Sequence, residues 1–183
     1  MKKAIVVIGR FNPPTTGHEE VIKQAVVLAR KQSASLYVFT TKTQDAKKNP
    51  LDIGTKVSYL RLAFPGITII PVKGLIEALQ ILNDDNIEDV TIIAGSDRVD
   101  GYHNTLKKGV EGGHVNFKNY NTLSLKRDPD ADGVGGASAT KARKFASEDN
   151  KEDFIKITPA NLTDEQKEKL YLAVRTGIKA NGE

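Results

Sequence analysis

The sequence predicts an α/β protein built on a doubly wound, five-stranded parallel sheet with a C-terminal helix. Short apolar runs rich in β-branched residues alternate with longer segments whose apolar residues recur at helical spacing. The apolar runs are continuous, as in strands that helices cover on both faces, and glycine and proline separate them from the helices. With 183 residues and 39% hydrophobic content, the chain suits one folded domain, so we expect a single unit over residues 1–183.

The first half of the chain predicts two strands, each followed by a helix. Ala4–Ile8 is a β-branched run typical of a buried strand, and Glu19–Lys31 has its apolar residues at helical intervals. Leu36–Phe39 predicts the second strand. After a polar loop, Pro50 can begin a second helix, which a Pro-Gly pair ends.

The second half continues this alternation. Ile67–Ile70 and Val90–Ala94 predict the third and fourth strands, with a helix after Gly74 between them. Tyr120–Leu125 predicts a fifth strand. The segment 101–119, which is rich in Gly, Asn, Lys and His, indicates only one short helix. Five strands that alternate with helices imply a parallel sheet.

The C-terminal part combines helices with an irregular tail. The tail, residues 150–160, is expected to lack regular structure and to place Phe154 and Ile157 in the core. A Thr-x-x-Gln sequence beginning at Thr163 predicts a capping box, which announces a last helix. The helices are expected at Ser138–Ala146 and from Thr163 to about Lys179.

Composition narrows the function classes. Cysteine is absent and the three histidines are scattered, which argues against disulfides and a dedicated zinc site. A net charge of +4 could favour an anionic small molecule but lacks the dense basic stripe of a nucleic-acid-binding protein. The apolar run after the initial Met-Lys-Lys is too short for a signal peptide, and no run approaches membrane-spanning length. We therefore expect a soluble cytoplasmic protein that binds neither nucleic acid nor membrane.

The stretch Gly9–His18 is the strongest functional signal. It joins the first strand to the first helix, its glycines permit close backbone approach, and its two prolines fix the turn. A helix N-terminus surrounded by Arg, Thr and His favours a phosphate ligand. A second glycine-containing turn, Gly95–Arg98, follows the fourth strand. Because ligands of doubly wound sheets bind outside the carboxyl ends of the strands, we expect the two turns to face each other.

Four segments together resemble one known family. Gly9–His18 resembles the first signature of the nucleotidyltransferase superfamily of HIGH-motif α/β phosphodiesterases, in its T-x-G-H variant. Ser138–Arg143 is similar to the second signature, I-S-S-T-x-x-R. Lys47–Leu51 is similar to the lysine-containing loop of the family, and Gly95–Arg98 lies where the family contacts the nucleotide. The resemblance covers nearly the whole chain, which, with its acidic loop at 127–133, looks like the short phage-encoded members.

The resemblance implies a Rossmann-like enzyme that transfers a nucleoside monophosphate from a nucleoside triphosphate to a phosphorylated acceptor. The acceptor attacks the α-phosphorus and expels pyrophosphate without a covalent enzyme intermediate, so catalysis consists of positioning and charge stabilisation. Magnesium is expected to arrive with the triphosphate, held by phosphate oxygens and water. The resemblance assigns catalysis to His18, Thr15, Lys47 and Arg143. It assigns nucleotide binding to Arg10, Phe11, Gly17, Gly95, Ser96, Asp97, Arg98, Ser138 and Thr140.

Each catalytic residue has an implied role. His18 would donate a hydrogen bond to the triphosphate as negative charge moves onto the leaving group. Thr15 would donate its hydroxyl to the α-phosphate or to the incoming phosphate. Arg143 would hold the β- and γ-phosphates as a fork-shaped donor, with the hydroxyls of the second signature beside it. Lys47, helped by Lys42, would neutralise the transferring phosphoryl group.

The acceptor and the base stay open at the level of sequence. The Gly-Arg-Phe opening is similar to one branch of mononucleotide adenylyltransferases, which favours ATP over CTP and nicotinamide mononucleotide as acceptor. Cytidylyl transfer and phosphopantetheine adenylyl transfer are alternatives, because those branches share the signatures. Ala139 replaces a serine of the second signature, which leaves open a non-catalytic nucleotide-binding or virion-associated protein. The last helix could also form a homo-oligomer contact.

Structural roles compete with several of these functional ones. Ser138 and Thr140 could simply cap a helix, because capping and phosphate binding use the same backbone geometry. Lys42 could be a solvated surface charge. Asp97 and Arg98 could pair only with each other at the end of a strand.

Overall fold

The computed structural model describes residues 1–95, 98–125 and 138–182, in which strands and helices alternate as predicted. The strands are β1 (Lys3–Gly9), β2 (Ser35–Thr41), β3 (Ile69–Val72), β4 (Asp89–Gly95) and β5 (Asn119–Leu125). The helices are α1 (Thr16–Gln32), α2 (Ile53–Ala63), α3 (Leu75–Asp84), α4 (Val99–Glu111), α5 (Ala139–Ser147), α6 (Lys151–Lys156) and α7 (Asp164–Gly182). Within these residues, no helix combines the length and the apolarity that crossing a membrane requires.

The strands form a sheet in the order β3-β2-β1-β4-β5. At its centre β1 pairs in parallel with β2 and β4, so that Val7 lies opposite Val38 on one side and Ile93 on the other. β4 continues in parallel to β5. The chain thus moves from β1 outward to β3 and then returns to place β4 on the other side of β1. This reversal confirms the doubly wound fold.

The chain divides into two compact units that interleave in the sequence. Unit one consists of the described residues within 1–9, 21–41 and 70–127. Unit two consists of those within 10–20, 42–69 and 128–183. Unit one contains the sheet, apart from the first residue of β3, together with α3 and α4. Unit two contains the turn after β1, the first residues of α1, and helices α2, α5, α6 and α7.

Unit one is organised around the central strand β1. Ala4, Val6 and Ile8 face one side of the sheet and join a buried cluster with α3 and α4. Ile5 and Val7 are also buried and face the other side. β1 is therefore buried on both faces, as its continuous apolar run predicts. The helical members of the cluster are Ala78, Leu79, Leu82 and Leu106.

Unit two is built on packing between its C-terminal helices. Phe154 of α6 is fully buried, and its ring meets Tyr171 of α7 edge-on, with 5.3 Å between centroids. The predicted capping box of α7 is confirmed. The Thr163 N–H donates to Gln166 Oε1 (2.9 Å), and the Gln166 N–H donates to Thr163 Oγ1 (3.1 Å).

α4 is longer than the short helix that its sequence predicts. Gly101 and Gly109 lie within it and lower its intrinsic helix propensity. Leu106 is nevertheless fully buried, and Tyr102 and Val110, one turn before and after it, pack against the same core cluster. Packing of this face stabilises the helix beyond what its local propensity allows.

The tail predicted to be irregular contains helix α6. Asn150 caps this helix, because its side chain accepts a hydrogen bond from the Asp153 N–H (3.3 Å). Phe154 is buried as predicted. Ile157, in contrast, is only half-buried, so the prediction of a core side chain is wrong for this residue.

Two boundaries near α2 also differ from the prediction. The helix begins at Ile53 rather than at Pro50, because Asp52 caps it by accepting a hydrogen bond from the Thr55 N–H (2.8 Å). β3 begins two residues later than predicted. Ile67 still belongs to the turn that ends α2, since its N–H donates to the carbonyl of Phe64 (3.3 Å).

Gly177→Ala should destabilise the protein, although alanine favours a helix over glycine by about 1 kcal/mol. A Cβ at Gly177 of α7 would overlap the carbonyl oxygen of Pro50 and lie 2.8 Å from its carbonyl carbon. We expect the unfolding free energy to fall by about 1–3 kcal/mol in urea denaturation. Gly101→Ala is the control, because nothing lies within 4 Å of its Cβ position, and it should be neutral or stabilising. A stabilised Gly177→Ala variant would contradict this packing.

Lys56 of α2 should make stability depend on pH. The side chain is fully buried, and burial lowers its pKa from 10.5 to about 8. Between these values the unfolded chain binds more protons at this residue than the folded chain does. The unfolding free energy should therefore rise with pH over the window, by at most about 3 kcal/mol.

Urea denaturation at a series of pH values from 8 to 10 checks this dependence on Lys56. Lys56→Met should remove the rise, because no titrating group is left at that position. The control Lys107→Met, which replaces an exposed lysine, should preserve the rise. A wild-type stability that stays flat over the window would show that Lys56 titrates like an exposed lysine.

Candidate active site

The turn between β1 and α1 holds the first predicted signature. Phe11 has a φ of 48°, in the left-handed region that residues other than glycine rarely adopt. This conformation costs about 1 kcal/mol or more. The Phe11 side chain is buried, and its ring meets the His18 ring edge-on, with 4.8 Å between centroids. The turn thus places an aromatic ring where it restricts the orientation of the imidazole.

Hydrogen bonds to the imidazole of His18 determine which of its nitrogens can donate. Nδ1 accepts the Thr15 N–H at 3.0 Å, and Thr15 Oγ1 lies 3.3 Å from the same nitrogen. A neutral imidazole that accepts at Nδ1 carries its proton on Nε2. His18 also lies in the first turn of α1, where the helix dipole favours anions. Its Nε2–H is therefore a hydrogen-bond donor suited to a phosphate oxygen.

Thr15 and Gly17 lie within the structure of the turn itself. Thr15 is fully buried, and its carbonyl accepts the Glu19 N–H (3.0 Å), the bond that begins α1. Gly17 is also buried in the first helical turn. The contacts of Thr15 thus support His18 and the start of the helix, and its predicted contact with phosphate stays a prediction.

The segment after α6 holds the N-terminus of α1 in place. The Thr16 N–H donates to the carbonyl of Ile157 (2.9 Å), and the Ala160 N–H donates to Glu19 Oε2 (3.0 Å). No local sequence pattern indicates these bonds, because they join residues about 140 positions apart. They show that the C-terminal part of unit two supports the first signature.

Arg143 connects the second signature to the first. Its Nη1 donates to the carbonyl of Asn12 (2.9 Å), and its Nη2 donates to Thr140 Oγ1 (3.3 Å). Burial and, secondarily, the positive charge of Arg10 lower the pKa of Arg143, whereas Asp45 raises it. Two guanidinium groups therefore lie near each other at a half-buried position. An anion that binds both would relieve their repulsion.

The start of α5 shows the helix-capping role that was considered for Ser138 of the second signature. Ser138 caps the helix, because its Oγ accepts the Lys141 N–H (3.1 Å). The hydroxyl proton of Ser138 can still be donated to a ligand. Thr140 is exposed, and its hydroxyl accepts the hydrogen bond from Arg143. Capping and ligand binding are thus compatible at this helix N-terminus.

The lysine turn, defined here as residues 45–49, is closed by its first and last residues. Asp45 and Asn49 exchange backbone hydrogen bonds of 2.8 and 3.2 Å. The Asp45 carboxylate accepts the Lys48 N–H (2.8 Å) and Asn49 Nδ2 (2.9 Å). These bonds, led by the one from Lys48, lower the pKa of Asp45. Lys47 and Lys48 are exposed at the tip, as is Lys42 before the turn.

Asn12 and Asp45 form contacts in the site that were not predicted from the sequence. Asn12 is fully buried, and the nitrogen and the oxygen of its side-chain amide both form hydrogen bonds with the backbone of Leu51. Asp45 orders the lysine turn and lies near Arg143. The Asp-x-x-x-Asn spacing of the turn is a local signal that could have indicated its closure. The partners of Asn12 lie too far away in sequence for any local pattern to indicate them.

The remaining predicted residues belong to unit one or lie outside the described residues. Gly95 ends β4, and its carbonyl accepts the Arg98 N–H (3.0 Å) just before α4 begins. Both residues are exposed. Ser96 and Asp97, and the acidic loop 127–133, lie outside the described residues. Nucleotide binding by Gly95–Arg98 therefore stays a prediction.

Comparisons with known proteins agree with this architecture. A family model described as cytidylyltransferase-like matches residues 6–145. Comparison with curated proteins gives no significant match. Many solved structures resemble the fold.

Three of these structures illustrate the likeness. A bifunctional NMN adenylyltransferase/ADP ribose pyrophosphatase from Francisella tularensis has a TM-score of 0.62 and 14% identity over 99% of this chain and 54% of that chain. Plasmodium falciparum nicotinic acid mononucleotide adenylyltransferase complexed with NaAD has a TM-score of 0.56 and 15% identity over 100% and 97%. Thermotoga maritima TmcAL bound with alpha-thio ATP has a TM-score of 0.58 and 14% identity over 98% and 56%. The likeness shows the fold, and this chain spans about half the length of the Francisella and Thermotoga proteins.

The tautomer of His18 can be observed directly. Long-range ¹H–¹⁵N correlation spectra at mildly alkaline pH should show His18 as the Nε2–H tautomer, because Nδ1 accepts the Thr15 N–H. The exposed His114 is an internal reference and should show the tautomer mixture of a solvated imidazole. An Nδ1–H tautomer at His18 would contradict the geometry of the turn.

Proposed function

The chain belongs to the cytidylyltransferase-like family and is a nucleotidyltransferase, and from this premise we propose that it transfers the adenylyl group of ATP to nicotinamide mononucleotide, forming NAD. An oxygen of the acceptor phosphate attacks the α-phosphorus of ATP. The bond from that phosphorus to the bridging oxygen of the β-phosphate breaks, and pyrophosphate leaves. Similar structures that act on nicotinamide or nicotinic acid mononucleotide support this choice, as does the Gly-Arg-Phe opening.

The convergence of Arg10, Arg143 and His18 at one turn carries the proposal. Arg10 lies in the turn, Arg143 donates a hydrogen bond to its backbone, and His18 begins the helix that follows it. Two cations and an Nε2–H donor together match the charge and the acceptors of a triphosphate. Ser138 and Thr140 add hydroxyls at the N-terminus of α5.

His18 acts as a donor in this proposal, not as a general base. The acceptor phosphate is ionised near neutral pH, so its attacking oxygen needs no base to remove a proton. Negative charge instead grows on the leaving pyrophosphate, where the Nε2–H can stabilise it. Arg143 holds the same phosphates through its forked donors, and Lys47 approaches the transferring phosphoryl group from the lysine turn.

Magnesium is expected to accompany the triphosphate. In the part of the chain that the structure describes, no group of three or more His, Asp or Glu side chains is arranged to hold a metal ion. The donors gathered at the turn are cations and hydroxyls, which suit phosphate rather than Mg²⁺. Phosphate oxygens and water would therefore provide most of its ligands, and the ion would offset part of the triphosphate charge. A similar structure from Francisella tularensis is described as complexed with AMP and a Mn ion.

Cytidylyl transfer is the second candidate, because the family model that matches the chain is described as cytidylyltransferase-like. The two candidates differ in the base of the nucleotide, whereas the phosphate chemistry is the same. ATP and CTP must therefore be compared directly.

Pyrophosphate release tests the proposal. The protein is incubated with Mg²⁺, either ATP or CTP, and each of three acceptors: nicotinamide mononucleotide, nicotinic acid mononucleotide and phosphopantetheine. We expect pyrophosphate in equal amount to NAD with ATP and nicotinamide mononucleotide, and little release without an acceptor. Release of pyrophosphate only with CTP would establish the second candidate. No release with any pair would refute transfer and favour a nucleotide-binding protein that does not catalyse.

Substitution of His18 tests its role in the same assay. His18→Ala should lower kcat by about 10²–10³-fold, the usual cost of losing one donor to a developing charge. His114→Ala is the control, because it removes an exposed histidine and should leave kcat unchanged. An active His18→Ala variant with a normal kcat would remove His18 from the mechanism.

A further inference from the structure

We propose that Asn12 is a positioning residue that links the lysine turn and Arg143 to the first signature, a role that rests on the function proposed above. Asn12 lies in the middle of the signature, between Phe11 and Pro13, and is fully buried. Its backbone carbonyl contacts Arg143 of the second signature. Its side-chain amide contacts Leu51, in the segment that follows the lysine turn. All of these bonds lie within unit two.

The side chain of Asn12 pairs with the backbone of Leu51 in both directions. Asn12 Nδ2 donates to the Leu51 carbonyl (3.2 Å), and the Leu51 N–H donates to Asn12 Oδ1 (2.8 Å). Both residues are buried, so water competes little for these bonds. The amide group therefore fixes the position of Leu51 relative to the signature turn.

Leu51 in turn fixes the base of the lysine turn. Only Pro50 separates Leu51 from Asn49, the residue that closes the turn with Asp45. Proline restricts the backbone between them. Asn49 is itself buried and donates its side-chain amide to Asp45. Through this short segment, Asn12 determines from where Lys47 can reach a bound phosphate.

The backbone of Asn12 orients the other cationic group. Its carbonyl accepts Arg143 Nη1 (2.9 Å), while Thr140 accepts Nη2 (3.3 Å). These bonds use two of the five N–H donors of the guanidinium and define its plane. The plane then determines where the other donors can meet a phosphate. One residue thus sets the geometry of both groups.

Two substitutions separate these links. Asn12→Ala keeps the carbonyl that Arg143 contacts and removes only the pairing with Leu51. Asn12→Asp keeps an acceptor for the Leu51 N–H, but it places a second acceptor against the Leu51 carbonyl and adds a negative charge close to Arg143. The alanine variant should therefore lower kcat, and the aspartate variant should raise KM for the triphosphate.

A double-mutant cycle of Asn12→Ala with Lys47→Ala tests the link to the lysine turn. Lys47→Ala should lower kcat about 100-fold in the wild type and only about fivefold or less when Asn12 is already alanine. KM for ATP should change less than kcat in Asn12→Ala, because Arg143 keeps its backbone acceptor. If the fall in kcat of the double variant equals the product of the falls in the two single variants, the two residues act independently and the proposal is overturned.

Asn161→Ala is the matched control. It removes another bond from an asparagine amide to the backbone of unit two, from Asn161 Nδ2 to the Ala63 carbonyl (2.9 Å). This variant should have a lower Tm, with unchanged kcat and an unchanged effect of Lys47→Ala. A fall in kcat as large as that of Asn12→Ala would show that general loss of stability explains both variants.

Hydrogen–deuterium exchange over residues 45–52 gives a readout that needs no turnover. Exchange should be faster in Asn12→Ala than in the wild type and unchanged in Asn161→Ala. Unchanged exchange in Asn12→Ala would overturn the proposal.

If the wild type releases no pyrophosphate with any pair of substrates, the proposed function fails. The double-mutant cycle is then measured as changes in the Kd of Mg-ATP instead of changes in kcat. If Asn12→Ala does not fold, the proposal is tested on Asn12→Asp, by the exchange of residues 45–52 and by the KM for the triphosphate. Wild-type values for both would overturn the proposal.

Discussion

The hydrogen bond from Arg143 to the carbonyl of Asn12 joins residues 131 positions apart in sequence, and the arrangement of the site in unit two depends on it. It attaches the helix of the second signature to the turn of the first. The bonds that Ile157 and Ala160 form with the first turn of α1 also attach the C-terminal part of unit two to the first signature. Because these bonds are non-local, the site can form only when the separated segments of unit two have folded together.

The electrostatics of the site follow from the same arrangement. Holding Arg143 at a half-buried position near Arg10 costs free energy, since desolvation and repulsion both oppose a second positive charge there. Asp45 offsets part of that cost and also closes the lysine turn. A polyphosphate would offset more of it, because it carries several negative charges and many acceptors. His18 adds a neutral donor whose orientation the Thr15 N–H and the Phe11 ring determine.

The sequence predicted those features that depend on short-range patterns. Continuous apolar runs identified the strands and their doubly wound order. The signatures pointed to His18 and Arg143, whose catalytic roles stay predictions. It failed where packing overrides local propensity, as in α4, which Leu106 anchors in the core in spite of two glycines. It also failed for Asn12 and Asp45. Both residues matter through hydrogen bonds to specific backbone groups. Residue type does not show which backbone groups the fold brings close to them, so these bonds can be seen only in the folded structure.

We propose that the first signature turn, Arg143 and His18 form one phosphate site. A crystal structure with Mg²⁺ and α,β-methylene-ATP, which the enzyme cannot cleave at the α-phosphorus, measures this directly. We expect His18 Nε2 and the Arg143 guanidinium to lie within hydrogen-bond distance of phosphate oxygens, with the bond from Arg143 to the Asn12 carbonyl intact. Triphosphate bound away from the turn, or bound there with Arg143 turned away from it, would show that these residues do not form one phosphate site.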